Sequence, residues 1–254
     1  MPEFLPGVHI VEVARPAFSP GAAMNLCLLV QDGKITLVDA GFPGSAGLLL
    51  AYLGEIDLSP RAIQRIIITH HHIDHVGGLA EIVALTGAEV WAHKADVPVI
   101  DGTQPRPALP AERLDAMLAR IPADQREAAA ARMQQMAAVA GVPVDLGLVG
   151  GEELKLLGGV EILHTPGHTA GHLALYLPAL SLLIAGDLLR YEEGTIHESP
   201  AGFSADPEEA LASARSVTNL GFDRFIGYHG GYAAAGAKEL LSESLTRQEA
   251  PSSI

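Results

Sequence analysis

The sequence predicts a mixed α/β fold. Short apolar runs rich in β-branched residues, Ile66-Ile67-Ile68 among them, alternate with segments of helical spacing. The runs end at glycine, proline or polar residues, which turn the backbone. A hydrophobic content of 48% with 27 glycines and 17 prolines in 254 residues favours many strands and turns over long helices.

Taken in order, residues 8–14 and 25–40 read as strands, with Asp32-Gly33 as a hairpin turn. Residues 44–55 read as a helix and Ser59–Gln64 as a short one. Ile66–Thr69 is a buried strand, Gly77–Leu85 a helix and Val90–Ala92 a strand. Val160–His164, Leu173–Leu177 and Leu182–Ala185 are strands of a second sheet. Residues 206–219 form a helix, with Asp206 as cap and Pro207 at its first position. Phe225–Tyr228 is a strand, and residues 233–248 close the chain with a helix. Strands and helices alternating in two halves make a layered α/β protein.

Residues 98–148 depart from this plan. Pro98, Pro105, Pro107 and Pro110 precede the alanine-rich stretch 112–140, where Leu114, Met117, Leu118 and Ile121, then Met133, Met136 and Val139, have helical spacing. Two helices inserted between the halves of one domain, 1–254, are expected. They form either a layer over a sheet or a cap whose methionines line an apolar pocket; they could instead build a homodimer interface.

The most informative stretch is Thr69–Gly78, Thr-His-His-His-Ile-Asp-His-Val-Gly-Gly. It places His70, His72, Asp74 and His75 within six positions, directly after a strand-like run. Imidazole and carboxylate suit borderline divalent ions, zinc above all. Downstream come His164-Thr165-Pro166-Gly167-His168-Thr169-Ala170-Gly171-His172, the run Leu182–Ala185 leading to Gly186-Asp187, and Phe225–Tyr228 leading to His229-Gly230-Gly231. Ligand-type residues at the ends of several strands can converge on one point.

These motifs resemble those of the metallo-β-lactamase superfamily. His-x-His-x-Asp-His matches at His70, His72, Asp74 and His75; Thr-Pro-Gly-His-Thr-x-Gly-His at His168 and His172; Gly-Asp at Asp187; the late His-Gly at His229. Leu37-Val38-Asp39-Ala40-Gly41 resembles the early strand-Asp-x-Gly motif. The resemblance runs from about residue 25 to 231 and implies a four-layer αββα sandwich. It also implies two divalent ions, zinc first, with iron or manganese as alternatives. By analogy His70, His72 and His168 hold one ion, Asp74, His75 and His229 the other, and Asp187 bridges them. Hydrolysis follows as the reaction class, with Asp74 as a proton shuttle. Lactonases of the superfamily carry a tyrosine shortly after the bridging aspartate; Tyr191, four residues past Asp187, is the catalytic candidate, against a plain reading as a ring covering a core edge.

The remaining histidines are read individually. His71 alternates with two ligands and points the other way on an extended segment. His172 orients a loop or a ligand. His9, His93 and His164 serve packing or surface roles, and His197 is a candidate for the pocket rim. Asp39 holds the loops beneath the metals by hydrogen bonds.

A net charge of −14, with 16 basic residues in no run, argues against nucleic acid, whose phosphates need Lys and Arg, and against anionic membranes. The lone Cys27 cannot form an internal disulfide. Without a signal-like start or a membrane-spanning run, a cytoplasmic enzyme is expected. The leading expectation is a hydrolase of a small ester or lactone with an apolar portion. Alternatives are a glutathione-thioester hydrolase, which usually carries a basic C-terminal helical region, a β-lactamase, a small phosphodiesterase, and an iron-dependent oxidative enzyme of the same fold.

Overall fold

A computed structural model describes residues 3–13, 24–107, 111–119, 121–137 and 139–249. In chain order these form β1 (Val8–Val13), β2 (Met24–Gln31), β3 (Lys34–Val38), α1 (Ala46–Glu55), β4 (Ile63–Ile68), α2 (Ile73–Val76), α3 (Leu79–Thr86), β5 (Glu89–His93) and α4 (Val97–Ile100). There follow α5 (Ala111–Ala119), α6 (Arg126–Ala137), β6 (Leu146–Leu148), β7 (Glu153–Leu154), β8 (Val160–His164), β9 (Leu173–Leu177) and β10 (Leu182–Ile184). The chain ends with β11 (Leu189–Glu192), β12 (Thr195–Glu198), α7 (Pro207–Ser216), β13 (Arg224–Ile226), β14 (Tyr232–Ala233) and α8 (Ala237–Glu249).

Two six-stranded sheets face each other, ordered β1-β2-β3-β4-β5-β6 and β14-β13-β10-β9-β8-β7. The period-2 alternation of strand side chains builds three apolar layers from them. Ile67, Cys27, Leu29 and Val38 of the first sheet meet Leu173, Leu175, Leu177 and Ile184 of the second between the sheets. Their neighbours Ile66, Ile68, Leu26 and Leu37 point outwards, to Leu49 and Leu53 of α1 and Leu79 and Ile82 of α3. On the far side Ala174, Tyr176, Leu183 and Phe225 pack against Ala214 of α7 and Leu241 and Leu245 of α8. This is an αββα sandwich. Strands such as β9 and β10 are buried on both faces, which explains why the runs read as continuously apolar. Cys27 is buried, and burial pushes its thiol up.

Local chemistry sets the boundaries. Ser59 accepts from Arg61 N and Pro60 fixes the first dihedral, but only a single 3₁₀ turn, Pro60–Ala62, forms before β4 begins. The expected helix 77–85 forms as α3 from Leu79, and a separate short turn of helix, α2, ends before it at Val76. The two glycines between them admit the preceding loop, since a Cβ at Gly77 would lie 2.3 Å from Pro43 Cδ and one at Gly78 2.3 Å from the carbonyl oxygen of Ala40. Asp206 caps α7 by accepting from Glu209 N at 3.0 Å, with Pro207 at the first position. The final helix begins at Ala237 rather than 233, because Tyr232 and Ala233 pair with β13. The hairpin β11–β12 was not read from the sequence.

Residues 101–142 leave the sandwich after α4 and return to it at the same place. Val142 N donates to Ile100 O at 2.9 Å, and Gly102 abuts Gly141. Between these ends stand α5 and α6, with Ile121 and Ala129 buried. The side chains of Met117, Met133 and Met136, expected to line a pocket, lie outside the described ones. Among the described residues no helix is long and apolar enough to cross a membrane.

Candidate metal centre

The strand ends of both sheets meet at one edge of the sandwich. β4 delivers Thr69 and His70; His72 stands at the N-cap of α2, and α2 itself carries Asp74 and His75. The β8–β9 loop carries His168, the turn after β10 carries Asp187, and the turn after β13 carries His229. Leu173 N donates to Thr69 O at 2.8 Å, tying one sheet's edge to the other's.

Two clusters result, each with ligand atoms within 4.8 Å of one another: His70, His72 and His168, and Asp74, His75, Asp187 and His229. In the first, His72 Nδ1 stands 2.9 Å from His70 Nε2 and 3.0 Å from His168 Nε2. In the second, His229 Nε2 lies 3.2 Å from Asp74 Oδ2 and 3.3 Å from Asp187 Oδ2. Asp187 joins the clusters: Oδ1 is 3.2 Å from His75 Nε2 and Oδ2 is 3.4 Å from His168 Nε2.

Shared protons do not account for the packing of the three-histidine cluster. Burial, followed by the neighbouring imidazoles, pushes His70 well below the ordinary range and His72 down to about 3; burial takes His168 down to about 4. Both close contacts converge on His72 Nδ1, and a neutral ring nitrogen, with either one N–H or one lone pair, satisfies only one of them; the neutral ring is also the ligand form. Ligands held about 2.0–2.1 Å from a tetrahedral zinc sit about 3.4 Å from each other, close to the spacings here. His75 Nε2 and Asp187 Oδ1, which face each other, are buried and carry no hydrogen bond of good geometry. The donor set of imidazole and carboxylate, with no thiolate, fits borderline divalent ions.

The second cluster balances its own charge. Burial opposes the imidazolium of His229, but Asp187 and Asp74 overcome it and hold the ring up at about 9. His75 is raised well above its usual value against the same burial by Asp39, Asp187 and Asp74. Burial works against the charged forms of Asp74 and Asp187 too, yet His75 and His229 hold both carboxyls below the ordinary carboxylate range.

Buried hydrogen-bond partners behind them orient the cluster residues. Asp39 Oδ2 lies 2.9 Å from His75 Nδ1 and accepts the Thr69 hydroxyl, while its Oδ1 accepts Thr69 N at 2.8 Å. It holds φ +63°, a left-handed value that aspartate tolerates better than most side chains. His172 Nε2 accepts the amide of Asp187 at 3.0 Å, and its Nδ1 lies 2.8 Å from Thr165 Oγ1. That Nε2 is thus engaged by an N–H, so His172 orients Asp187 and is no member of either cluster. His71 turns away from the clusters, Nδ1 donating to Asp96 Oδ2 at 2.9 Å.

The family model of the metallo-beta-lactamase superfamily matches residues 20–229. The chain belongs to the metallo-β-lactamase superfamily. It is 26% identical over 240 residues to the probable metallo-hydrolase YflN of Bacillus subtilis (strain 168), covering 88% of this chain and 84% of that one. It is 34% identical over 205 residues to a hydroxyacylglutathione hydrolase of Pseudomonas aeruginosa (strain LESB58), covering 76% of this chain but 60% of that protein's length. Among solved structures, a metallo-beta-lactamase family protein from Thermus thermophilus superposes with a TM-score of 0.70 at 26% identity, over 97% of this chain and 80% of that one. Membership and these relatives support a metallo-hydrolase whose His/Asp clusters are able to bind metal ions.

Other residues of this superfamily member take the following places. The ring of Tyr191 packs against the Leu189–Ile196 side of the outer core, and its amide donates to His229 O at 3.3 Å. It belongs to neither cluster. Gly230, beside it, has no room for a Cβ, which would fall 1.8 Å from Tyr191 O. His197 contacts Ser244 Oγ of α8 at 3.2 Å; His9 contacts Tyr52 Oη at 2.9 Å; His93 and His164 stack at 4.0 Å. Asp96 and Tyr228, both in contact with cluster loops, were missed from sequence. The only signal for Tyr228 was its position one residue before His229.

Proposed function

We propose that the chain is a binuclear, zinc-dependent hydrolase of a small carboxylic ester or lactone with an apolar portion. The observation that carries this reading is Asp187, whose two oxygens reach His75 at 3.2 Å and His168 at 3.4 Å and so join two nitrogen-rich clusters into one centre. His70, His72 and His168, with Asp74, His75, Asp187 and His229, would hold two divalent ions, which when bound would supply a water of near-neutral pKa and polarisation of a carbonyl.

The chain's own residues supply the rest. His70, His75 and His168 are buried and hold position, while the side chains of Asp74 and His229 are 19% and 21% exposed and form the open side where a substrate enters. Asp74 is held as a carboxylate at that open side, so its Oδ2 can take a proton from the attacking water and hand it to the leaving oxygen. His172 fixes the backbone of Asp187, from which its carboxylate projects to both clusters. The inserted helices α5 and α6 serve as the cap that meets the apolar portion. Tyr191, with its amide on His229 O, serves by bracing the His229 turn.

A thioester substrate is the second reading, favoured by the 34% identity to the hydroxyacylglutathione hydrolase. Hydrolysis of a panel by the metal-replete chain, with metal assayed on the same sample, separates the readings. The panel holds acyl-homoserine lactones, simple lactones, a glutathione thioester, nitrocefin and bis-nitrophenyl phosphate. Two zinc ions with preferential lactone or ester opening are expected. Preference for the thioester moves the substrate class and keeps the centre; iron with no hydrolysis of any member overturns the hydrolase.

A further inference from the structure

Asp96 stands at the N-cap position of α4 but makes no side-chain cap bond there, although capping is the usual use of aspartate at such a place. Its carboxylate is turned elsewhere. Oδ2 accepts from His71 N at 3.0 Å, from His71 Nδ1 at 2.9 Å and from Thr169 Oγ1 at 2.9 Å; Oδ1 accepts from Gly171 N at 2.8 Å. The side chain is 2% exposed. Four donors around one buried carboxylate satisfy its charge in place of water. Gly171 is shaped to the contact, because a Cβ there would lie 2.5 Å from Oδ1.

The donors belong to two separate loops. His71 lies between His70 and His72, Thr169 follows His168, and Gly171 precedes His172. One carboxylate thus clasps the loop that carries two histidines of the three-histidine cluster to the loop that carries the third. At their base the same loops stay joined by Leu173 N to Thr69 O, so losing Asp96 would loosen their upper parts without parting them. Among the described residues the carboxylate's hydrogen bonds go to His71, Thr169 and Gly171, and none to a ring nitrogen or carboxylate of the two clusters.

We propose that Asp96 is a positioning residue that sets the separation of the His70/His72 loop from the His168 loop, and thereby the affinity and geometry of the ion held by those three histidines. The inference rests on the metal-centre reading above. Its partners Thr169 and Gly171 belong to the same clasp.

Metal-free wild type, Asp96→Asn and Thr169→Val chains are titrated with Zn²⁺ against a chromophoric chelator and with Co²⁺ by visible absorption. Circular dichroism and thermal midpoints are read on the same metal-free samples. Wild type takes two ions. Asp96→Asn is expected to weaken one of them by about 10–100-fold, the range typical for losing an outer partner of a metal ligand, and to change the Co²⁺ spectrum with unchanged circular dichroism. Thr169→Val, which removes a single bond of the clasp, shifts the same ion in the same direction by less. Wild-type affinities and Co²⁺ spectrum in both variants, with only a lower thermal midpoint, overturn the inference and leave Asp96 a fold residue; equal weakening of both ions overturns it too. Should Asp96→Asn not fold, Thr169→Val decides alone. A wild type that takes fewer than two ions overturns the metal centre itself, a result visible before any variant is compared.

Discussion

Tyr228 lies against His75 with ring centroids 3.7 Å apart at 33°, and its hydroxyl donates to the backbone carbonyl of Asp74. The residue immediately before His229 thereby grips two cluster residues contributed by the opposite sheet. Tyr228→Phe keeps the stacking surface and leaves the part-buried Asp74 carbonyl without this donor, a loss of about 1 kcal/mol. Thermal unfolding of the metal-free variant should show this loss, and metal titration should show the Asp74/His75/His229 side weakened. An unchanged midpoint and unchanged titration would remove Tyr228 from the support of the site.

Asp187→Asn takes the shared charge from both clusters while preserving size. Turnover should fall by more than about 100-fold, the upper end of what even outer-partner losses produce, and the bound metal should drop below two ions. Near-normal turnover with full metal would show that the bridge is built by another residue.

The metal-free chain should be most stable at a pH between the values of these two groups of histidines. His72, held near 3, and His168 and His172, held near 4, stay neutral in the fold but take protons below about 6.5 when unfolded. Their contribution is present above about 6.5 and is lost as pH falls through the folded values. His229, held up at about 9, acts in the opposite sense: its contribution is complete below about 6.5 and disappears as pH rises through 9. Thermal midpoints of chelator-treated protein between pH 5 and 9 should therefore pass through a maximum. A midpoint that climbs steadily across that range would contradict the assignment for His229.

The inserted segment should be removable. Because Gly102 and Gly141 already touch, joining them directly excises 103–140 with little demand on the sandwich. The shortened chain should keep two metal ions and lose its discrimination in favour of substrates with an apolar portion, read as a rise in KM for those substrates relative to small polar ones. Loss of metal together with collapse of the circular dichroism signal would make the helices part of the core instead.

The cluster residues were legible because each follows an apolar strand and is followed by turn residues, as in Ile184-Ala185-Gly186-Asp187 and Ile226-Gly227-Tyr228-His229. Strand ends announce themselves by composition. The layers were legible for the same reason: Ile66-Ile67-Ile68 is apolar on both faces because α1 and α3 cover one and the second sheet the other. Asp96 was not legible, since its partners are 25, 73 and 75 residues away and its place before Val97-Pro98 looks like an ordinary cap. Tyr191 was read from its nearness to Asp187 in sequence; the β11–β12 hairpin, which sequence did not mark, packs its ring on the outer core and sets its amide on His229 O. Short strands such as Leu189–Glu192 have too few residues, and too many polar ones, for alternation to mark them.

The distribution of the cluster residues along the chain has one more consequence. His70, His72, Asp74 and His75 come before the inserted helices, and His168, Asp187 and His229 come after them. A chain severed within that insertion gives two pieces, each holding an incomplete share of both clusters. Metal would then act as the adhesive between fragments: the pieces would reassociate in proportion to the zinc supplied and come apart when a chelator withdraws it, making the scaffold a natural starting point for an ion-gated split reporter.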